Sequence, residues 1–414
     1  MSILINKAEE KLLRDLAGQA AHYAALPVQA QKMELWKASN SLRPKRAMVL
    51  SNPQNGWDEL VPEESVICRD PFLRDLERFL RMQIFRYEYI KDDFPILPKV
   101  DIDTVIHHSG YGIENKVISP DQKGGAYHIE PSIKTYADFE KLKPAVIEID
   151  RAATEERLEF AGNLLGDILE VRERGVSSFR CGLTRILIHM RGLDQMMYDV
   201  YDNPEFFHEM MSFLRDEMIR EFKLYEKENV LSLNNGPDNW NGSGGLAYID
   251  DLPAEDFSGR VRLKDLIAWG ESQETVGFSP DQFNEFVLQY QLPILNMFGL
   301  TDYGCCEGLD RKLDLIIENI PRLRWVSVSP WCERRVAADK LKNNYVYVYK
   351  PIPTPITSGV PDYEYAESLI RETLEIAEGC SVQIVLKDTS TFCNEPERLT
   401  IWSEMAVRVA EEMA

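Results

Sequence analysis

Apolar residues recur along this chain in two alternating rhythms. Over 152–173 they return every three or four positions, at Leu158, Ala161, Leu165, Ile168 and Leu169. That is the period of a helix with one buried face. Between such stretches stand short apolar runs that end in Asn, Gly, Pro or a charged residue, beginning with 47–51. Runs of that kind read as buried strands. The pattern predicts strands at 47–51, 177–180, 230–234, 263–269, 300–303, 324–329, 345–349 and 382–386. Helices are predicted over 1–44, 71–92, 152–173 and 310–317, and after Pro204, Pro280 and Pro396, since proline suits a first helical turn.

Eight strands with helical crossovers predict an α/β protein, specifically a (β/α)₈ TIM barrel. A doubly wound open sheet is the alternative. Residues 1–45 read as an N-terminal helical extension. Residues 46–414 read as the barrel, with a loop-rich insertion at about 93–145.

Composition narrows the class. The chain has 414 residues, 44% of them apolar and 28% charged, as in an ordinary globular protein with a sizeable core. A net charge of −21 argues against nucleic acid or an anionic membrane as partner. No run approaches the ~20 apolar residues of a membrane helix. The start lacks the features of a secretion signal, and seven cysteines without a CxxC pair fit reduced thiols in the cytoplasm.

Candidate chemistry gathers where strands end, the face of a barrel that carries active sites. Asn234, Asn239 and Trp240 follow one strand, Glu271 and Gln273 the next. Tyr303-Gly304-Cys305-Cys306-Glu307 ends a third, Trp331 follows a fourth, Lys350 a fifth, and Lys387 with Asp388 the last. Aromatic walls, amides, acids and thiols converging on one mouth describe a pocket for a small, partly apolar molecule. Walker, GxGxxG and GxSxG sequences are missing, which removes phosphate-loop and serine-hydrolase chemistry.

Several of these segments carry a family likeness. They are Phe179-Arg180-Cys181-Gly182-Leu183, Arg191-Gly192-Leu193, Gly270-Glu271-Ser272-Gln273, Phe278-Ser279-Pro280, the Tyr303–Glu307 run, Leu386-Lys387-Asp388 and Pro396-Glu397-Arg398-Leu399. Through them the chain resembles the uroporphyrinogen decarboxylase-like superfamily of (β/α)₈ barrels. That superfamily holds decarboxylases, and methyltransferases that exchange a methyl group with a protein-bound corrinoid. The decarboxylases carry an Arg-rich motif near the N-terminus. Here 50–57 has no Arg, so a highly anionic porphyrinogen would lack partners. Coenzyme M methyltransferases hold zinc through a His-x-Cys motif and a distal Cys. Cys306 matches the motif's Cys, but Gly304 stands where the His would be.

The resemblance therefore implies the branch that demethylates aryl methyl ethers, with the corrinoid carried by a separate protein. In that reading Tyr303, Glu271 and Glu307 are candidate proton donors to the leaving phenolate. Asn234, Asn239, Trp240, Gln273, Trp331, Lys387 and Asp388 are candidate substrate contacts. Cys306 with Glu307 is a candidate zinc site. A homodimer is expected, as is common in the superfamily. Alternatives are a decarboxylase or lyase of a small acid, with Lys387 or Arg180 holding the carboxylate, and a non-catalytic ligand-binding barrel.

Overall fold

The computed structural model describes residues 3–118, 128–242 and 244–414. Part of the loop-rich insertion, 119–127, lies outside the described residues. A parallel sheet of seven strands organises the molecule: β1 (Met48–Ser51), β2 (Arg180–Cys181), β3 (Ile267–Gly270), β4 (Leu300–Tyr303), β5 (Leu323–Val328), β6 (Val346–Tyr349) and β7 (Ser381–Leu386). Their lateral order is β1-β7-β6-β5-β4-β3-β2, and every neighbouring pair is parallel. The mixed α/β class holds. Pairing of the first strand with the last is what a barrel requires, but the hydrogen-bonded ladder has edges at β1 and β2. The predicted strand at 230–234 supplies only a parallel bridge, Leu231 with Val176.

Between β1 and β2 in sequence the chain also departs from the expectation. Helix 152–173 stops at Leu165, and Glu170–Arg174 becomes a strand parallel to Lys99–Asp103. The N-terminal helical segment is two helices, Lys7–Ala24 and Pro27–Asn40, broken at Pro27.

The pleat sorts side chains into two cores, because successive strand residues face opposite ways. Val49, Tyr303, Val326, Tyr347 and Ile384 join the core beneath the outer helices. Met48, Leu50, Leu300, Trp325, Val346, Val348 and Val385 face inward. Covering both faces keeps β1, β4, β6 and β7 wholly buried, as parallel sheets demand.

The inner core is completed by a hairpin over 235–249. Its arms are joined by Ala247 N–H to Asn239 carbonyl (2.7 Å) and Asn241 N–H to Gly245 carbonyl (3.0 Å). Leu246, Ala247 and Ile249 pack in the inner core with strand residues of β1 and β3 through β7. Its tip needs glycine. A Cβ on Gly242 would lie 2.5 Å from Asp302 Oδ2 and 2.6 Å from the Trp269 ring. Near the amino ends of β5 and β7, buried Asn40 closes the inner face. Its amide donates to the carbonyls of Leu246 (2.8 Å) and Tyr248 (2.9 Å) and accepts from Trp325 Nε1 and Gln383 Nε2 (2.8 Å each).

Candidate active site

At the opposite, carboxyl end of the sheet, charged groups are held under cover. Glu271 leaves β3 as a fully buried side chain. Its Oε1 accepts two bonds from Arg180 of β2, from Nε at 3.0 Å and Nη2 at 2.8 Å. The guanidinium lies 4.5 Å from the Trp269 ring centroid and is the partly exposed member of the pair, at 31%. Burial pushes the Glu271 carboxyl up, with Glu274 and Glu307 adding repulsion and Arg180 opposing, to about 7. Gly182 makes room for this: a Cβ there would stand 2.3 Å from Glu271 Oε1.

Gln291 is a support that sequence reasoning missed. Fully buried, its amide donates to the carbonyls of Cys181 (2.9 Å) and Glu271 (2.8 Å), tying the ends of β2 and β3. Its oxygen takes the Tyr303 hydroxyl at 2.8 Å. A polar residue just before the apolar run Leu292-Pro293-Ile294-Leu295 is the signal the sequence offers.

Glu307, also buried, spends both oxygens on backbone. Oε1 accepts Ser272 N–H at 3.1 Å and Oε2 accepts Cys305 N–H at 2.8 Å. It thus splices the turn after β4 to the turn after β3. Beside it Lys312 donates to the Thr275 carbonyl at 2.7 Å, and burial lowers its ammonium to about 8.

The thiols of Cys305 and Cys306 are 3.6 Å apart. Cys306 also reaches Asp388 Oδ2 at 3.5 Å, and Lys387 lies 3.7 Å from Asp388 Oδ1. Lys350, buried at the end of β6, donates to the Cys305 carbonyl at 2.7 Å. The shared hydrogen bond and the two nearby ammonium groups pull Cys305 down; the same bond pushes Cys306 up. The pair holds one proton more readily than two.

The predicted residues thus divide. Glu271, Glu307, Cys306, Lys387 and Asp388 gather at the carboxyl ends of β3, β4 and β7, linked by the contacts above. Gln273 joins them through its backbone N–H, 3.3 Å from Glu271 Oε2. Tyr303 does not face the mouth. Its parity places it under the helices, its hydroxyl is taken by Gln291, and burial raises its pKa well above the ordinary value. Asn234 is a clamp, 3% exposed, bonded to the carbonyls of Ser177 and Ile267 and to Ile267 N–H. Asn239 turns back to Gly236 N–H. Trp331 is 76% exposed.

Trp240 lines a cavity of about 190 Å³ with Trp57, Phe94, Asn52, Arg86 and Lys99. A second cavity of about 440 Å³ shares Trp240, Arg174 and Asp238 with it. Asn52 follows β1 and its N–H bonds to Leu386 of β7, so this aromatic cavity opens at the same end of the sheet. Among the described residues, no three His, Cys, Asp or Glu side chains come together as a metal-ligand set. Cys306 with Glu307 does not make one, because Glu307 is committed to backbone. No described helix is long and apolar enough to cross a membrane.

No family model matches the chain, and no curated protein matches it. Among solved structures it is similar to one described as a methyltransferase from Methanosarcina mazei, with 10% identity and a TM-score of 0.46 over 92% of this chain and 97% of that one, a likeness too distant to assign an activity.

Proposed function

We propose that this chain is a methyltransferase that takes the methyl group from a small methoxylated aromatic substrate and passes it to a reduced corrinoid carried by a separate protein. The observation that carries the reading is Glu271, a fully buried carboxyl at a strand end, bonded to Arg180 and pushed up by burial to about 7. Loss of the methyl from an aryl ether leaves a phenolate, which departs readily only if protonated or electrostatically met. Glu271 gives its proton to the ether oxygen as the carbon–oxygen bond breaks. Arg180, already on Oε1, offsets the charge left on the carboxylate. Substrate entry displaces the partly exposed Arg180 side chain enough to bring the oxygen onto the carboxyl.

The aromatic cavity at Trp240 and Trp57 offers walls for a ring of this size. The corrinoid supplies the nucleophile for the methyl carbon, and its protein docks over the strand ends. Among the described residues no set of zinc ligands comes together, and this reading routes no step through zinc. A second reading, decarboxylation of a small acid, is favoured by Arg180 and Lys387 standing at strand ends where a carboxylate could meet them.

The deciding experiment presents a panel of methoxylated aromatics with a reduced corrinoid protein and follows the released phenol and the acceptor's visible spectrum. Stoichiometric phenol release with methylation of the acceptor is expected. Release of carbon dioxide from an aromatic acid, without acceptor methylation, would replace this reading with the second.

A further inference from the structure

We propose that Cys305 and Cys306 form a redox-active dithiol that closes to a disulfide between adjacent residues, with a peroxide as oxidant. The inference stands on geometry and is independent of the reaction assigned above. The two sulfurs are already in contact at 3.6 Å. They sit in the turn leaving β4, where Gly304 takes a φ of +102°, so the alternation that would point them apart has ended. Cys306 is partly exposed, and Cys305 is buried behind it. Cys306 reaches Asp388, Lys387 lies against that same carboxylate, and Lys350 holds the Cys305 carbonyl. The two lysines beside the pair favour the thiolate, the reactive form, at Cys305. Cys332, the next thiol along the chain, turns instead to Ser329 and the Glu307 carbonyl.

The chemistry balances in two steps. The Cys305 sulfur, the one its neighbours favour as thiolate, attacks peroxide, the oxygen–oxygen bond breaks, and a sulfenic acid forms as the departing hydroxide takes a proton from solvent to give the first water. The Cys306 sulfur then attacks the sulfenic sulfur, the sulfur–oxygen bond breaks, and the second water carries off the Cys306 proton. Two thiols lose two electrons and the peroxide gains them.

Adjacent Cα atoms are about 3.8 Å apart, closer than the roughly 4.4–6.8 Å that disulfides favour. The ring is therefore strained and easily reduced, the mark of a labile rather than a structural bond. Closing it turns the Cys305–Cys306 peptide, whose carbonyl accepts from Lys350, and so shifts the adjoining Cys305 N–H that Glu307 holds. Glu307 also holds Ser272, next to Glu271, so oxidation is felt in the turn that positions the carboxyl.

The test treats the full reduced chain with hydrogen peroxide under native conditions, alkylates the remaining thiols, and digests it for mass spectrometry. The peptide carrying both cysteines should escape alkylation and lose about 2 Da, and dithiothreitol should restore it. C305S and C306S should each abolish that loss. Oxygen adducts alone, full alkylation, or a cross-link to Cys332 would overturn the proposal. Phenylarsine oxide, which bridges two neighbouring thiols, gives a second readout without an oxidant. One tight equivalent on the unchanged chain and none on either variant is expected; undiminished binding by both variants would refute the paired geometry. If either variant fails to fold, the unchanged chain's peptide mass decides.

Discussion

One buried carboxyl sets the behaviour of the candidate active site. Glu271 titrates near 7 rather than 4.5, so the folded chain binds its proton more tightly than the unfolded chain between those values. Stability from this group is full below about pH 4.5 and declines as pH rises through 7, by an amount on the order of 3 kcal/mol. Glu271→Gln should therefore flatten the fall in melting temperature between pH 5 and pH 8. The same substitution should cut methyl transfer by about 10²–10⁴-fold, the usual worth of a general acid, while the unchanged chain loses activity as pH rises through 7. An activity that climbs through that range would assign the proton to another group. Glu271 was readable in the sequence from its place after an apolar run. Tyr303 was misread for a reason that parity explains: a residue still inside the strand obeys the pleat, and position 303 falls on the helix-facing side. Residues just past the strand, 305–307, do not obey it.

Elements were legible where an apolar run and a turn agreed, as at β1, β4, β6 and β7. They were not legible where side chains replace a ladder. The run at 230–234 looks like a strand, yet Asn234 bonds with its amide across to Ser177 and Ile267 and regular pairing ends at one bridge. The periodic pattern of 152–173 also runs on through Ile168 and Leu169, although Gly166-Asp167 breaks the helix. Leu169 is buried from a turn instead. The bridge itself depends on closeness. A Cβ on Gly175 would stand 2.2 Å from the Val230 carbonyl oxygen, a backbone atom that has nowhere to swing. Gly175→Ala should part Val176 from Val230 and Ser232 and cost about 1–3 kcal/mol, the scale of an overpacked contact. Urea unfolding followed by circular dichroism measures this; an unchanged midpoint would mean that the bridge contributes nothing.

For the molecule as a whole, the segment 1–45 is part of the central architecture. Trp36, Ser39 and Asn40 are fully buried, and Asn40 joins the hairpin, β5 and β7 in one network. Nothing in an amphipathic pattern announces that an Asn at a helix end will serve four partners, because the partners lie far along the chain. Asn40→Ala leaves Trp325 Nε1 and the carbonyls of Leu246 and Tyr248 without these bonds, and the Gln383 amide with only its longer bond to Ser39 Oγ at 3.3 Å. Each orphaned group costs about 1–3 kcal/mol, so a loss of roughly 3 kcal/mol or more is expected in denaturant unfolding. A loss under about 1 kcal/mol would show that the neighbours re-pair.

That network also constrains the order in which the protein can assemble during synthesis. The bond from Gln383 to Asn40 spans 343 residues. A ribosome makes the helix ending in Asn40 well before β7, so that helix emerges long before this partner exists. Closing so long a loop is entropically costly and slow. In the interval Trp36 and its neighbours stay uncovered, which makes the nascent chain a natural client for chaperones that bind exposed apolar segments.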